Sequence, residues 1–285
     1  MDRIDRRASW LASPFRMSSV AALALVWAAS APVARAAEPA WSHHRAYSGH
    51  WAGSAAFKEI RASIERERIA ALGSISRSLG LELRGDRRVD GIVFEYVDEA
   101  DAPALGFPAG SRGGFRPPKD PAAAERVITV IVDKFVSSRD ELPGFVCHEM
   151  IHAVMSLLMG ESFTALPSWV QEGLAVYGSG QGTEKLAKLV ANEGAEPKGF
   201  PDGLDQQKDR LADYVEAYLA IAFLADSRGP QAVRAFTAAV VKGVPVDAAV
   251  QQASQLAPKE FAKRAAEYAR ARVRSAAATS PAPSS

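Results

Sequence analysis

The chain has 285 residues, of which 48% are hydrophobic and 24% charged, with a formal net charge of +1. That is the make-up of an ordinary soluble globular protein, and without a long run of either sign it leaves no basis for a nucleic-acid or anionic-membrane surface. A lone cysteine, Cys147, excludes an intramolecular disulfide.

In chain order, the first element is a targeting segment. Arg3, Arg6, Arg7 and Arg16 precede a short apolar run from Val20 to Ala29, and Ala34-Arg35-Ala36 supplies a small-residue cleavage pattern. Residues 1–36 therefore read as a signal peptide cut before Ala37. The run is too short to span a bilayer comfortably. No stable membrane insertion is expected after its removal, and the destination is periplasmic or secreted. About 250 residues remain, enough for one sizeable domain or two small ones. Residues 37–53 are polar, hold His43, His44 and His50, and are expected to form a mobile mature N-terminus.

Residues 54–80 predict a helix, with Phe57, Ile60, Ile64, Ile69 and Leu72 at helical spacing and Gly80 as the stop. Gly91 to Val97 predicts a strand with Ile92, Phe94 and Tyr96 on one face. Leu105 to Pro118, rich in Gly and Pro, predicts a loop, and not a phosphate-binding one, since no G-K-[ST] follows its glycines. Residues 126–132 predict a second strand, too densely apolar for a fully exposed edge.

The next helix carries the chemistry. Pro143 suits its first turn and Gly160 the position past its end. Between them Cys147-His148-Glu149-Met150-Ile151-His152 contains H-E-x-x-H. On a helix, His148 and His152 lie one turn apart on one face and can both point at one divalent ion. Glu149 projects beside them, close enough to orient or deprotonate a water at that ion. Phe145, Val146, Met150, Ile151, Val154, Leu157 and Leu158 make the helix largely buried, and a buried carboxylate between buried imidazoles is costly without compensation. Cys147 points about 100° away from His148 and reads as a small apolar filler.

A third ligand is sought, because a catalytic zinc typically takes three protein ligands and leaves a fourth position for water. Glu172, twenty residues after His152 within Pro167-Ser168-Trp169-Val170-Gln171-Glu172-Gly173-Leu174-Ala175-Val176-Tyr177, is the candidate. Pro167 marks a second helix, whose Trp169, Val170, Leu174 and Ala175 form an apolar face that argues against a solvated carboxylate.

H-E-x-x-H followed at this distance by W-x-x-E-G-x-A-x-Y resembles the gluzincin zinc metallopeptidases, most closely the small bacterial peptidase MA-like branch. The resemblance is specific over 143–177, has weaker support over 214–229, and extends in loose form over roughly residues 55–270. It implies Zn2+ held by His148, His152 and Glu172, with Glu149 as general base and Trp169 and Tyr177 as packing residues. It also implies that strand 126–132 borders the cleft and pairs with extended substrate. Two departures stand out. Val176 occupies the place where thermolysin-like enzymes carry an aspartate, so support for the metal ligands must come from elsewhere. No G-x-M-E-N segment lies in 105–125, so an aminopeptidase is unsupported.

Beyond Tyr177, Thr183 to Asn192 predicts a short helix, 193–207 a polar loop, and 208–228, 230–242, 245–255 and 257–274 four helices. Residues 275–285, only Ser, Ala, Thr and Pro, predict a disordered tail. No histidine follows His152, so an oxyanion donor must be a tyrosine or arginine. Tyr214 and Tyr218 lie one turn apart on the helix after the ligands. The resemblance, counted back from Gly229, selects Tyr214 over Tyr218.

The expectation is thus an α+β protein: a small N-terminal sheet with a helix, a zincin-type pair of metal helices and a mainly helical C-terminal part, all within one domain over 54–274. Its expected function is zinc-dependent hydrolysis of peptide bonds in a peptide or protein substrate. The alternative is a catalytically inactive zincin-fold scaffold that binds an envelope protein or peptide; a third reading treats the motif as accidental on a helical interaction module.

Overall fold

A computed structural model describes residues 43–198, 204 and 210–279. The expected signal peptide, residues 37–42 and residues 280–285 lie outside them. Residues 54–274 belong to a single unit of the fold, Trp41–Ser285.

The chain opens with α1 (Ala55–Leu79), capped by Ser54, whose side chain accepts from Phe57 N, and stopped by Gly80 in the left-handed region. Its buried stripe is Phe57, Ile60, Ile64, Ala71, Ile75 and Leu79. Ile69, expected on that stripe, is instead 62% exposed. Five residues past Ile64 it is rotated off the face, and the in-phase position belongs to Arg68, held by Glu65 at 2.9 Å.

Three strands follow: β1 (Ile92–Val97), β2 (Gly113–Phe115) and β3 (Arg126–Ile131), in the order β1-β3-β2. β1 runs parallel to β3, pairing Ile92 with Arg126 and Val97 with Ile131, while β2 runs antiparallel to it, pairing Gly114 with Thr129. This corrects two expectations. The 105–118 loop contains a strand, and β3 is central, so it cannot be the edge that meets a substrate. Gly113 at φ +113° is what permits the pairing, since a side chain there would collide with the Thr129 carbonyl. Paired glycines hide the strand from any reading that looks for apolar alternation.

Residues 43–53 of the N-terminal segment make specific contacts with the sheet. Phe94 N donates to His43 O at 2.8 Å and Arg45 N to Phe94 O at 2.9 Å, so residues 43–45 cover the outer edge of β1. The Tyr47 hydroxyl donates to Asp98, and Trp51 Nε1 donates to Asp133 Oδ1 at 2.9 Å. These polar and aromatic side chains find partners on the sheet rim, about fifty to eighty residues away in sequence, which local composition does not encode.

After α2 (Val132–Ser137) the chain is helical: α3 (Leu142–Met159), α4 (Ser168–Ser179), α5 (Gly182–Glu193), α6 (Leu211–Arg228), α7 (Pro230–Val241), α8 (Val246–Ser254) and α9 (Pro258–Thr279). The protein is mostly helical with a small three-stranded sheet, the α+β class expected. α9 extends to Thr279, past the expected tail boundary at 275, because Ala276, Ala277 and Ala278 continue a helix at little cost. Arg139–Ala165 is apolar and long enough to cross a membrane, but within it α3 is buried by α1, the sheet and α4. Met150, Ile151, Val154 and Met155 of α3 are fully enclosed.

α4 is held between α3 and α6. Trp169 is buried and stacks on Phe236, centroids 6.1 Å apart, and Val170, Leu174, Ala175 and Val176 have no exposed surface. Gly173 sets the α4–α6 spacing: a Cβ there would stand 2.6 Å from the Ala217 carbonyl oxygen and 2.9 Å from Ile221. Leu186, Leu189 and Val190 of α5 form a second cluster with α6 and α9. Gly173→Ala is expected to cost about 1–3 kcal/mol by overpacking, measured as a lower denaturant midpoint at unchanged slope. An unshifted midpoint would mean that the two helices separate freely.

Candidate metal centre

The two helices deliver three side chains to one point. His148 and His152, one turn apart on α3, have their Nε2 atoms 3.1 Å apart and ring centroids 4.8 Å apart. Glu172 of α4 brings Oε2 to 3.2 Å from His148 Nε2 and Oε1 to 3.5 Å from His152 Nε2. Gln171 Nε2 donates to Leu166 O at 2.9 Å, anchoring the first turn of α4 to the segment that enters it. Both imidazoles are buried and Glu172 nearly so. The expected ligands therefore converge, and the cluster could hold a metal ion.

The geometry suits a cation. Metal bonds of about 2.0–2.1 Å need ligand atoms only a few ångströms apart, and one ligand atom from each of His148, His152 and Glu172 lies within 4.8 Å of the other two. Glu172 Oε2 is buried without an aligned hydrogen-bond donor, as expected of an oxygen whose partner is an ion. His148 Nδ1, the ring nitrogen facing away from the cluster, is buried without a partner among the described residues. Val176, at the position where an aspartate was looked for, is fully buried and supplies none.

Electrostatics tie the cluster together. Burial pulls the His152 pKa down, but the Glu172 and Glu149 carboxylates outweigh it, and the net shift is upward. Burial pushes Glu172 up, yet the two imidazoles hold it well below the usual carboxylate range. Cys147, one position before His148, faces elsewhere; burial raises its thiol to about 11 and its Sγ lies 3.9 Å from Gly178 O, as suits a packing residue.

Glu149 stands beside the triad without joining it. Its Oε2 accepts a hydrogen bond from Phe115 N of β2 at 2.7 Å. Gly114 lies against the same carboxylate. The strand that the sequence concealed thus orients the expected base. Tyr214 and Tyr218 separate clearly. Tyr214 lines a cavity of about 440 Å³ together with His148 and Glu149, and its ring centroid is 6.3 Å from that of His148. Tyr218 packs against Gly182 and the cluster formed by α5, α6 and α9. Lys185, which also lines the cavity, was not anticipated: a lysine in a short amphipathic helix reads as solvated, and nothing local marks it otherwise.

No family model, curated protein or solved structure matches the chain.

Proton and metal compete for His152. With its pKa above the ordinary 6.5, the His152 proton stabilises the metal-free fold fully below pH 6.5, and that contribution is lost as pH rises through the folded value. Glu172 runs oppositely: its contribution is present above 4.5 and lost as pH falls through the depressed value. Zinc needs both groups unprotonated. Zinc affinity is therefore expected to climb with pH until His152 has titrated and then level off, while His152→Ala and Glu172→Ala bind none stoichiometrically. Competition titrations across pH, with metal content of the purified variants, check this; stoichiometric zinc in a variant would remove that residue from the ligand set.

Proposed function

We propose that the protein is an exported zinc metallopeptidase of gluzincin type, similar to the peptidase MA-like branch, with a zincin-type pair of metal helices in α3 and α4. The observation that carries this reading is the meeting of His148, His152 and Glu172 within reach of one ion, with Glu149 beside them on the wall of one cavity. Export rests on the signal-peptide pattern of residues 1–36.

His148, His152 and Glu172 would hold the zinc, which when bound polarises a scissile carbonyl and acidifies a water. Glu149 would be the general base, its carboxylate accepting a proton and passing it to the leaving amine. The Phe115 N–H holds Oε2, leaving Oε1 to receive the proton. Tyr214 donates its phenolic hydrogen to the developing oxyanion, a role that histidine plays in thermolysin-like enzymes and that no histidine here can fill. β2 has β3 as its one strand neighbour among the described residues, and its Phe115 N–H bond to Glu149 supports its outer edge as the place where an extended peptide would pair.

A catalytically inactive scaffold is the second reading, favoured by the partnerless His148 Nδ1 and by Val176, since ligands without outer hydrogen bonds hold metal less firmly. Cleavage of a mixed peptide library separates the two.

Glu149→Gln is expected to keep stoichiometric zinc and lose on the order of 10²–10⁴ in rate. Loss of zinc in that variant would make Glu149 a ligand instead of a base. Tyr214→Phe is expected to lower kcat by roughly 10² or more with zinc and fold unchanged, whereas wild-type turnover would transfer the donor role to an arginine or to Tyr218.

A further inference from the structure

The cavity beside the triad has a cation, Lys185, with no counterion among the described residues. Lys185 is half-buried on its wall, and no carboxylate of the described residues comes within ion-pair distance of its ammonium. Its one close partner is the face of the Tyr214 ring, 5.1 Å from Nζ to centroid. That cation–π contact, with the second cluster under Leu186 and Leu189, holds the ammonium in place at the cavity instead of leaving it to sweep through solvent.

The other charges around the cavity are accounted for. Arg112 is paired with Glu141. Glu149 is tied to Phe115 N. Asp140, Glu184 and Lys188 are exposed and solvated. Desolvation pulls the Lys185 pKa down, and Glu172 and Glu184 only partly offset it. A metal on Glu172 would take up that carboxylate's charge, so in the loaded site the ammonium loses its main compensation. The starts of α3, α5 and α6 also border the cavity, and the positive ends of their dipoles add to the preference for an anion.

We propose that this cavity binds a carboxylate of the substrate, with Lys185 as the residue that recognises it. This rests on the peptidase reading of the adjacent site and adds a substrate class to it: peptides bearing a carboxylate near the scissile bond, from a free C-terminus or from an Asp or Glu side chain. Lys185 is a specificity residue, separate from the proton-transfer roles of Glu149 and Tyr214.

The test measures binding in the zinc-loaded Glu149→Gln protein, where peptides are not consumed. Four N-acetylated peptides of one sequence are compared by calorimetry: free C-terminus, C-terminal amide, and the amide with an internal Glu or with Gln in its place. One carboxylate form is expected to bind roughly tenfold or more tighter than its neutral counterpart, and whichever pair shows the preference names the source. Adding Lys185→Met should bring that ratio close to one, and Lys185→Arg should restore much of it. A merely structural role would weaken both members of a pair together and leave the ratio intact. Equal binding of all four peptides, or a ratio unmoved by Lys185→Met because the carboxylate sits on the metal, would overturn the proposal. Metal content and wild-type hydrolysis are measured separately: carboxylate preference without hydrolysis would keep the cavity and discard the peptidase reading.

Discussion

Two buried imidazoles and a buried carboxylate facing one another across an α3–α4 interface are the arrangement on which the rest of the structure depends. Such a cluster carries a large desolvation cost, and it persists only where charge compensates it. His152 and Glu172 supply that compensation to each other when no metal is present, and each moves the other's proton affinity. A divalent cation would satisfy all three groups at once. The surrounding core, from Val146 and Met150 to Trp169 and Leu174, admits no slack that would let them drift apart.

The scaffold around the cluster consists of devices for close approach. Gly173, adjacent to Glu172, lets α6 come near enough for Tyr214 to share a cavity with His148. Gly113 lets β2 pair with β3, and β2 then supplies the N–H that orients Glu149. Residues 43–45 cover the far edge of β1, on the side of the sheet away from β2 and Glu149. Backbone geometry at small residues thus decides which side chains meet.

The same cavity wall joins chemistry and selectivity. Tyr214 contributes its hydroxyl to the proposed reaction and its ring face to Lys185, while α5 presents that lysine because its opposite face is buried against α6 and α9. A proposed oxyanion donor and a proposed substrate anchor are therefore packed on each other, and substrate charge and transition-state charge would be sensed by neighbouring groups.

Much was legible from residue order alone. The helical spacing of His148 and His152, the apolar face around Glu172 and the helix boundaries at Gly80, Pro143 and Gly160 follow from 3.6-residue periodicity and from capping chemistry, which are local. What the order of residues could not convey were events between distant segments: that 43–53 is fastened to the sheet, that β3 is central, that Ile69 faces water while Arg68 takes its phase, and that α9 runs on to Thr279. The position of Lys185 against the Tyr214 ring was likewise decided by tertiary packing. The spacing of His148 and His152 is written within a single helical turn and can be read directly; the partner of a backbone N–H or an ammonium is set by whichever distant segment arrives beside it, and only the folded chain specifies that.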